Sequence, residues 1–327
     1  MRAGWRGWFV GAMIAAALVG AVLHWGELEN FAGLVRRARP GWLLLALGLQ
    51  LSTYASVALG WRFVLERAEG RRPSMTALLR IALSKLFADQ ALPTAGMGGN
   101  VLLVDQLMGL GAARGTAVAA LLLSMIGYYA SYLLFALAAL FLLWLHGHAT
   151  PLMVGLVTSL VLVAIAIPAL ALWLRARGSR PLPPRIERIG FIRSLLETVG
   201  KAPAALLGDR RLLVRVTACN AAIFAADIAT LFACLHALGV PVGLSTALIA
   251  FILASIVVTL GPIPLGLGSF ELVCTGMLRL LGVGLEASLA GTLMLRVLIL
   301  WLPLVPGMVL MRRLVRRPGA ARKRSAR

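Results

Sequence analysis

The sequence is that of an all-α polytopic membrane protein, with about six full transmembrane helices and two Pro/Gly-broken re-entrant helical hairpins arranged as an inverted repeat. Three observations predict this. The 327 residues are 60% hydrophobic and 13% charged, with a mean hydropathy of +0.91, which exceeds what a soluble core of this size requires. Apolar runs long enough to cross a bilayer recur along the chain. Two further stretches, Pro73 to Gly115 and Gly243 to Glu286, are moderately apolar but break at Pro and Gly in their middles.

In order, the continuous apolar segments are Trp8 to Leu23, Gly41 to Val64, Ala117 to Leu145, Leu152 to Leu174, Leu212 to Leu238 and Ala287 to Met311. Each is near or above the roughly 20 residues that span a bilayer core. The first sits in a start, Met1 to Glu27, that has the charge and apolar run of a signal peptide, with Val19-Gly20-Ala21 as a cleavage triplet. Because the run continues to an interfacial Trp25, it is read as an uncleaved first helix. Seven of the eight tryptophans, including Trp42, Trp61, Trp144 and Trp173, fall near segment ends as an interfacial belt would have them. Trp301 alone is mid-segment.

Orientation follows from the loops. The basic tracts at Arg67 to Arg72, Arg175 to Arg215 and Arg312 to Arg327 are expected on the cytoplasmic side. His146 to Pro151 and Ala237 to Gly243 carry no Lys or Arg and are expected outside. Both termini are then cytoplasmic, with Arg316 to Arg327 as a basic tail; Arg36, Arg37 and Arg39 run against the rule and are left outside. The net charge of +20 comes mostly from tracts that flank apolar runs, so membrane lipids, anionic or isoprenoid-type, are the expected partners and nucleic acid is not. The preference for Arg over Lys points to a GC-rich bacterial genome and hence to the inner membrane. Cys219, Cys234 and Cys274 lie in apolar segments without CxxC spacing, so neither metal nor redox chemistry is expected of them.

The two broken stretches resemble each other at an offset of about 170 residues. Thr76, Ala77 and Leu78 fall on Thr246, Ala247 and Leu248; Gly96 and Gly98 fall on Gly266 and Gly268; Gly111 falls near Gly282. The first hairpin follows a helix that ends inside and the second follows one that ends outside, so the copies are inverted. A single membrane domain then divides into residues 5–147 and 150–315, each reading helix, helix, broken hairpin, helix. Inverted repeats with Pro/Gly-interrupted segments at matching positions point to a transport site near the midplane.

Ionisable side chains inside membrane segments are costly unless paired or hydrated, so each is a candidate. Glu271, beside the breaks at Pro262 and Pro264, either binds a cationic headgroup or exchanges a proton, or else caps and pairs within the hairpin. Arg296, about ten residues into its span, either holds a lipid phosphate or neutralises Glu271. Asp227 is either paired with an arginine or is a proton site. Lys85 with Asp89, and Arg62 with Glu66, have the spacing of intrahelical pairs. Gly96, Gly98, Gly99 and Asn100 after the break at Pro93, and Gly266 and Gly268 in the second hairpin, either let backbone N–H groups approach a headgroup or permit close helix packing. His146 and His148 form an HxH, but two ligands do not make a metal site, and no cofactor is implied.

At "GLGSFE", followed by "LLGV" and "ASLAGTLMLRVLILWLP", the chain resembles the flippase-like family of the lysylphosphatidylglycerol synthase transmembrane region. That family includes the membrane half of the bacterial multiple peptide resistance factor and is similar to hopanoid-associated and archaeal glycosylation-linked proteins. The resemblance covers about Gly41 to Met311 and is most specific over Gly261 to Pro303. It implies that Glu271 and Arg296 match recurring acidic and basic positions. In the first repeat the family usually has an arginine where this chain has Leu103, with Asp105 nearby. The family's synthases carry a soluble aminoacyl-transferase domain that is not present here, and no Walker loop, H-E-x-x-H or Ser-His-Asp pattern is evident, so an enzyme is not expected. The expected function is movement or binding of an amphipathic lipid, phospho- or isoprenoid-type, between leaflets. The alternative is a non-transporting partner that presents lipid to a separate envelope-lipid enzyme.

Overall fold

A computed structural model describes residues 33, 38–91, 97–147, 149–177, 203–261, 266–303 and 306–307. Among the described residues every regular element is helical. Three helices are long and apolar enough to cross a membrane: α1 (Pro40–Glu69), α4 (Arg114–Leu145) and α6 (Arg210–Ala237). At 1.5 Å per residue each exceeds about 40 Å, against a hydrocarbon core of about 30 Å. Between α4 and α6 lies α5 (Pro151–Arg177). The expected first span, Trp8 to Leu23, lies outside the described residues.

The two broken stretches fold as helix pairs. α2 (Met75–Ala91) and α3 (Met97–Gly109) form the first, and α7 (Leu244–Leu260) and α8 (Ser269–Leu280) form the second. α2 and α7 have 17 residues each, while α3 and α8 have 13 and 12. Each helix is thus about 18 to 26 Å long, short of a bilayer core. Pro93, Gly96, Pro262 and Pro264 fall outside the described residues. Both pairs close on the same turn: Gly111 and Gly282 have φ of +90° and +89°, a left-handed conformation that a side chain disfavours. The hydrogen bonds match as well, with Ala112 N–H on the Leu107 carbonyl and Val283 N–H on the Leu278 carbonyl, both at 3.0 to 3.1 Å.

The last segment departs from a plain span. α9 (Leu285–Arg296) gives way at once to a π-helical turn, Val297–Trp301, so the expected continuous helix from Ala287 to Met311 changes its winding directly after Arg296.

α1 and α6 pack antiparallel, tied at both ends. The Arg39 N–H donates to the Ala237 carbonyl at 2.8 Å, and Arg67 Nε donates to Asp209 Oδ2 at 2.7 Å. Asp209 also caps α6, accepting from the N–H groups of Arg211 and Leu212. The Arg67 guanidinium and these N–H groups hold the Asp209 carboxyl below the usual carboxylate range. α6 touches α1, α4, α7 and α9, and glycines allow two of these approaches. A Cβ on Gly127 of α4 would lie 3.2 Å from the Thr217 backbone, and one on Gly291 of α9 would lie 2.6 Å from Leu235 Cδ2. Small residues at helix contacts are how membrane helices gain packing where lipid is as apolar as the side chains.

Two large apolar clusters flank this centre. One joins α2 and α3 to the C-terminal half of α1 and the N-terminal half of α4, through Trp61, Leu78, Leu103 and Leu123. The other joins α7 and α8 to α4, α5 and α6, through Tyr132, Leu160, Leu231 and Ile252. Two local expectations are corrected here. Trp61 is not an interfacial anchor: it is 2% exposed and donates its indole N–H to Ser124 Oγ at 3.1 Å, because a buried indole needs an acceptor. Glu66 does not pair with Arg62, because the left-handed turn at Gly70 folds Arg72 back onto it, Nε to Oε1 at 2.7 Å.

Two outcomes check this packing. Gly127→Val is expected to lower stability by about 1 to 3 kcal/mol in thermal unfolding in detergent, since the Thr217 backbone cannot yield. Gly155→Val, with nothing within 4 Å of its Cβ position, should be close to neutral. Asp209→Asn should unfold more readily than the unaltered protein at neutral pH. Because the folded Asp209 is the more acidic state, this gap should be full above the unfolded value of about 3.9 and vanish as pH falls through the folded one.

Candidate functional site

The break between α7 and α8 ends at Gly268, whose φ of +82° lets the chain turn into α8. Glu271 occupies the first turn of that helix. Its Oε2 accepts the Gly268 N–H at 2.7 Å, so the carboxylate closes the helix start and sits at the positive end of the helix dipole. Its Oε1 accepts from Arg296 Nε at 2.7 Å. Side-chain exposure is 17% for Glu271 and 9% for Arg296, so both charges are withdrawn from the surface together. The Arg296 guanidinium also lies 4.9 Å from the centre of the Phe270 ring, a cation–π contact.

Arg296 is held from α9, whose buried face carries Ser288, Thr292 and Arg296 at four-residue spacing. Thr292 and Ser288 turn their hydroxyls onto backbone carbonyls of the same helix. On α8, the buried Thr275 hydroxyl has no hydrogen-bond partner among the described residues. The site is therefore an ion pair between a hairpin helix and the helix that follows it, placed where one helix starts and another begins its π turn. It offers a guanidinium for a phosphate and a carboxylate for a cation, each available to a ligand when the pair separates.

Asp227 is elsewhere. About a third of the way along the α1–α6 contact from its Arg39–Ala237 end, its Oδ1 accepts from Gln50 Nε2 at 2.8 Å, and Gln50 also donates to Thr230 Oγ1 at 3.2 Å. No arginine bonds Asp227 among the described residues, and neither Glu271 nor Arg296 does. The structure thus joins two of the three expected charges and separates the third.

In the first hairpin Gly98, Gly99 and Asn100 lie in the opening turn of α3, and a Cβ on Gly99 would run into the Asp89 carboxylate. Asp89 is bonded to Lys85 at 2.6 Å, as their spacing implies. Leu103 is fully buried and Asp105 is exposed. Gly266, with φ of +60°, abuts Val258 of α7. His148 lies outside the described residues, and His146 bonds the Leu142 carbonyl at 2.6 Å. Among the described residues no three His, Cys, Asp or Glu gather as a metal would need. Sequence reasoning missed Gln50 and Phe270. Gln50 had a signal, being the one amide side chain in an otherwise apolar run.

A family model described as lysylphosphatidylglycerol synthase TM region matches residues 8–307. No curated protein matches the chain significantly.

The ion pair makes a measurable statement about stability. Arg296→Met alone leaves a half-buried carboxylate without its cation and should cost about 1 to 3 kcal/mol in detergent unfolding, whereas Arg296→Met with Glu271→Gln should recover part of that loss. A double variant whose loss equals the sum of the losses in Arg296→Met and Glu271→Gln would mean that the two charges do not interact.

Proposed function

The chain belongs to the family of the lysylphosphatidylglycerol synthase transmembrane region, and from that membership we propose that it moves or binds an amphipathic lipid, of phospho- or isoprenoid type, between the leaflets of a bacterial inner membrane. The observation that carries this is the pairing of a half-buried Glu271 with the buried Arg296 beside a helix break. Ionisable groups at such a position in a membrane mark substrate pathways, since the charges are expensive to keep for packing alone. The lipid headgroup enters between the hairpins and separates the pair, taking the guanidinium for its phosphate and the carboxylate for any cationic group. When the headgroup leaves, the pair closes. The protein acts by binding and releasing lipid, without covalent chemistry of its own.

Movement across the bilayer comes from two inverted halves, residues 5–147 and 150–315, with both termini cytoplasmic and the helix pairs as re-entrant hairpins. Several features support that arrangement. α1 and α6 have corresponding places in the two halves and run antiparallel, as inversion requires. Their contacts are reciprocal: Arg39 meets the end of α6 as Asp209, at its start, meets the end of α1. The turn glycines Gly70 and Gly239, and Gly111 and Gly282, recur at an offset of about 170 positions, all with positive φ.

In proteoliposomes with a leaflet-resolved lipid assay, Glu271→Gln together with Arg296→Ala is expected to reduce transfer to the rate of protein-free vesicles. An unchanged rate would remove the pair from the lipid path. Absence of transfer by the unaltered protein, with a lipid-modifying enzyme co-purifying, would instead make it the partner that presents lipid to that enzyme.

A further inference from the structure

The proposed lipid site leaves Asp227 unused. Of the four aspartates in the chain, Asp89 is bonded to Lys85, Asp209 is bonded to Arg67, and Asp105 is exposed on α3. Asp227 lies ten residues before the end of α6, about 15 Å inside it, and is met there by a neutral amide.

The elements packed on α6 bring no cation to Asp227 among the described residues. α7 has no ionisable side chain. Tyr54 faces it from α1 and Tyr128 from α4. The arginines of those helices stand near their ends: Arg62 and Arg67 on α1, Arg114 on α4. On α9, Glu286 is in the first turn and Arg296 is bonded to Glu271. Of the charged or titratable groups on α6 itself, Arg210, Arg211 and Arg215 lie near its start and His236 is in its last turn.

The cluster is arranged to serve both a charged and an uncharged Asp227. Gln50, 2% exposed, spends one amide hydrogen on Oδ1 and the other on Thr230 Oγ1, while Thr230 donates to the Ala226 carbonyl at 2.7 Å. Gln50 therefore remains a donor to Oδ1 whatever the charge on the carboxyl. Oδ2 receives no hydrogen bond from the described residues and is not one of their sealed polar atoms. A carboxylate with a neutral partner at hydrocarbon depth is costly, and a carboxylic acid is not. A metal cation would need several converging oxygens, whereas Gln50 presents its N–H groups.

We propose that Asp227 is a proton-binding site within the membrane. The proton adds to Oδ2 from water and returns to it, while Oδ1 keeps the Gln50 hydrogen throughout. Because Gln50 stands on α1 and Asp227 on α6, each change of charge alters the bond that joins these two helices within their contact. The proposal stands apart from lipid movement and is tested without it.

Infrared difference spectra of the full chain in lipid vesicles, between mildly acidic and mildly alkaline pH, are expected to contain a protonated-carboxyl C=O band that isotope-labelled aspartate shifts. Asp227→Asn should remove that band, and Gln50→Leu should keep it at a changed frequency, since the hydrogen bond to the same oxygen is lost. Absence of any pH-sensitive aspartate band in the labelled, unaltered protein overturns the proposal, and that measurement needs no variant to fold. Persistence of the band in Asp227→Asn overturns it equally.

Discussion

The antiparallel contact between α1 and α6 is the constraint on which the rest of the structure depends. Inside a bilayer, apolar side chains gain little by leaving lipid for protein, so helices are held by close packing and by polar groups that have no water to turn to. This pair has ties at three depths: Arg39 to Ala237, Gln50 to Asp227, and Arg67 to Asp209. Together they set the register of the two helices. With that register set, α4 and α9 approach α6 where Gly127 and Gly291 leave room, and the two hairpins are left on either side.

A broken helix in a membrane exposes backbone groups that lipid cannot satisfy, so it survives only when enclosed by protein or water. In the second hairpin one side chain meets two needs. Glu271 caps the start of α8 with one oxygen and takes the Arg296 charge with the other, so the helix start and the buried cation stabilise each other. The π turn immediately after Arg296 interrupts the regular ladder of α9 at the same place. The first hairpin has nearly the same helix lengths and the same closing turn but different charges: Asp89 is bound to Lys85 within one helix, and Leu103 is sealed in the core. The two helix pairs are alike in backbone geometry and unlike in electrostatics, and the proposed headgroup chemistry lies with the second of them.

Two polar centres result, and they differ in kind. Glu271 and Arg296 cancel each other, and the proposed headgroup binding requires them to separate. Asp227 has a neutral partner, so its charge changes only through a proton. The first suits a headgroup that carries its own charge, and the second suits an exchange with water.

The helical, apolar character of the chain and its candidate charges were legible in the sequence because each is a local property, whereas the unbroken span expected from Ala287 to Met311 gives way to a π turn after Arg296. Apolar runs of spanning length stand out without knowledge of their neighbours, as do Pro and Gly within them, and Glu271, Arg296 and Asp227 are conspicuous because almost nothing around them is charged. Partner choice was not legible. Gln50 and Asp227 are 177 positions apart, Trp61 and Ser124 are 63 apart, and nothing local indicates that either pair meets. Even the short-range match of Arg62 with Glu66 failed, because the turn at Gly70 brought Arg72 closer. The sequence by itself determined that this is a helical membrane protein with two interrupted segments, since bilayer thickness and backbone chemistry act on each segment separately. Only the tertiary structure decided that Glu271 closes on Arg296 while Asp227 faces an amide, because that depends on which helix faces meet, and in lipid that choice is made by side-chain fit and hydrogen bonding across the whole bundle.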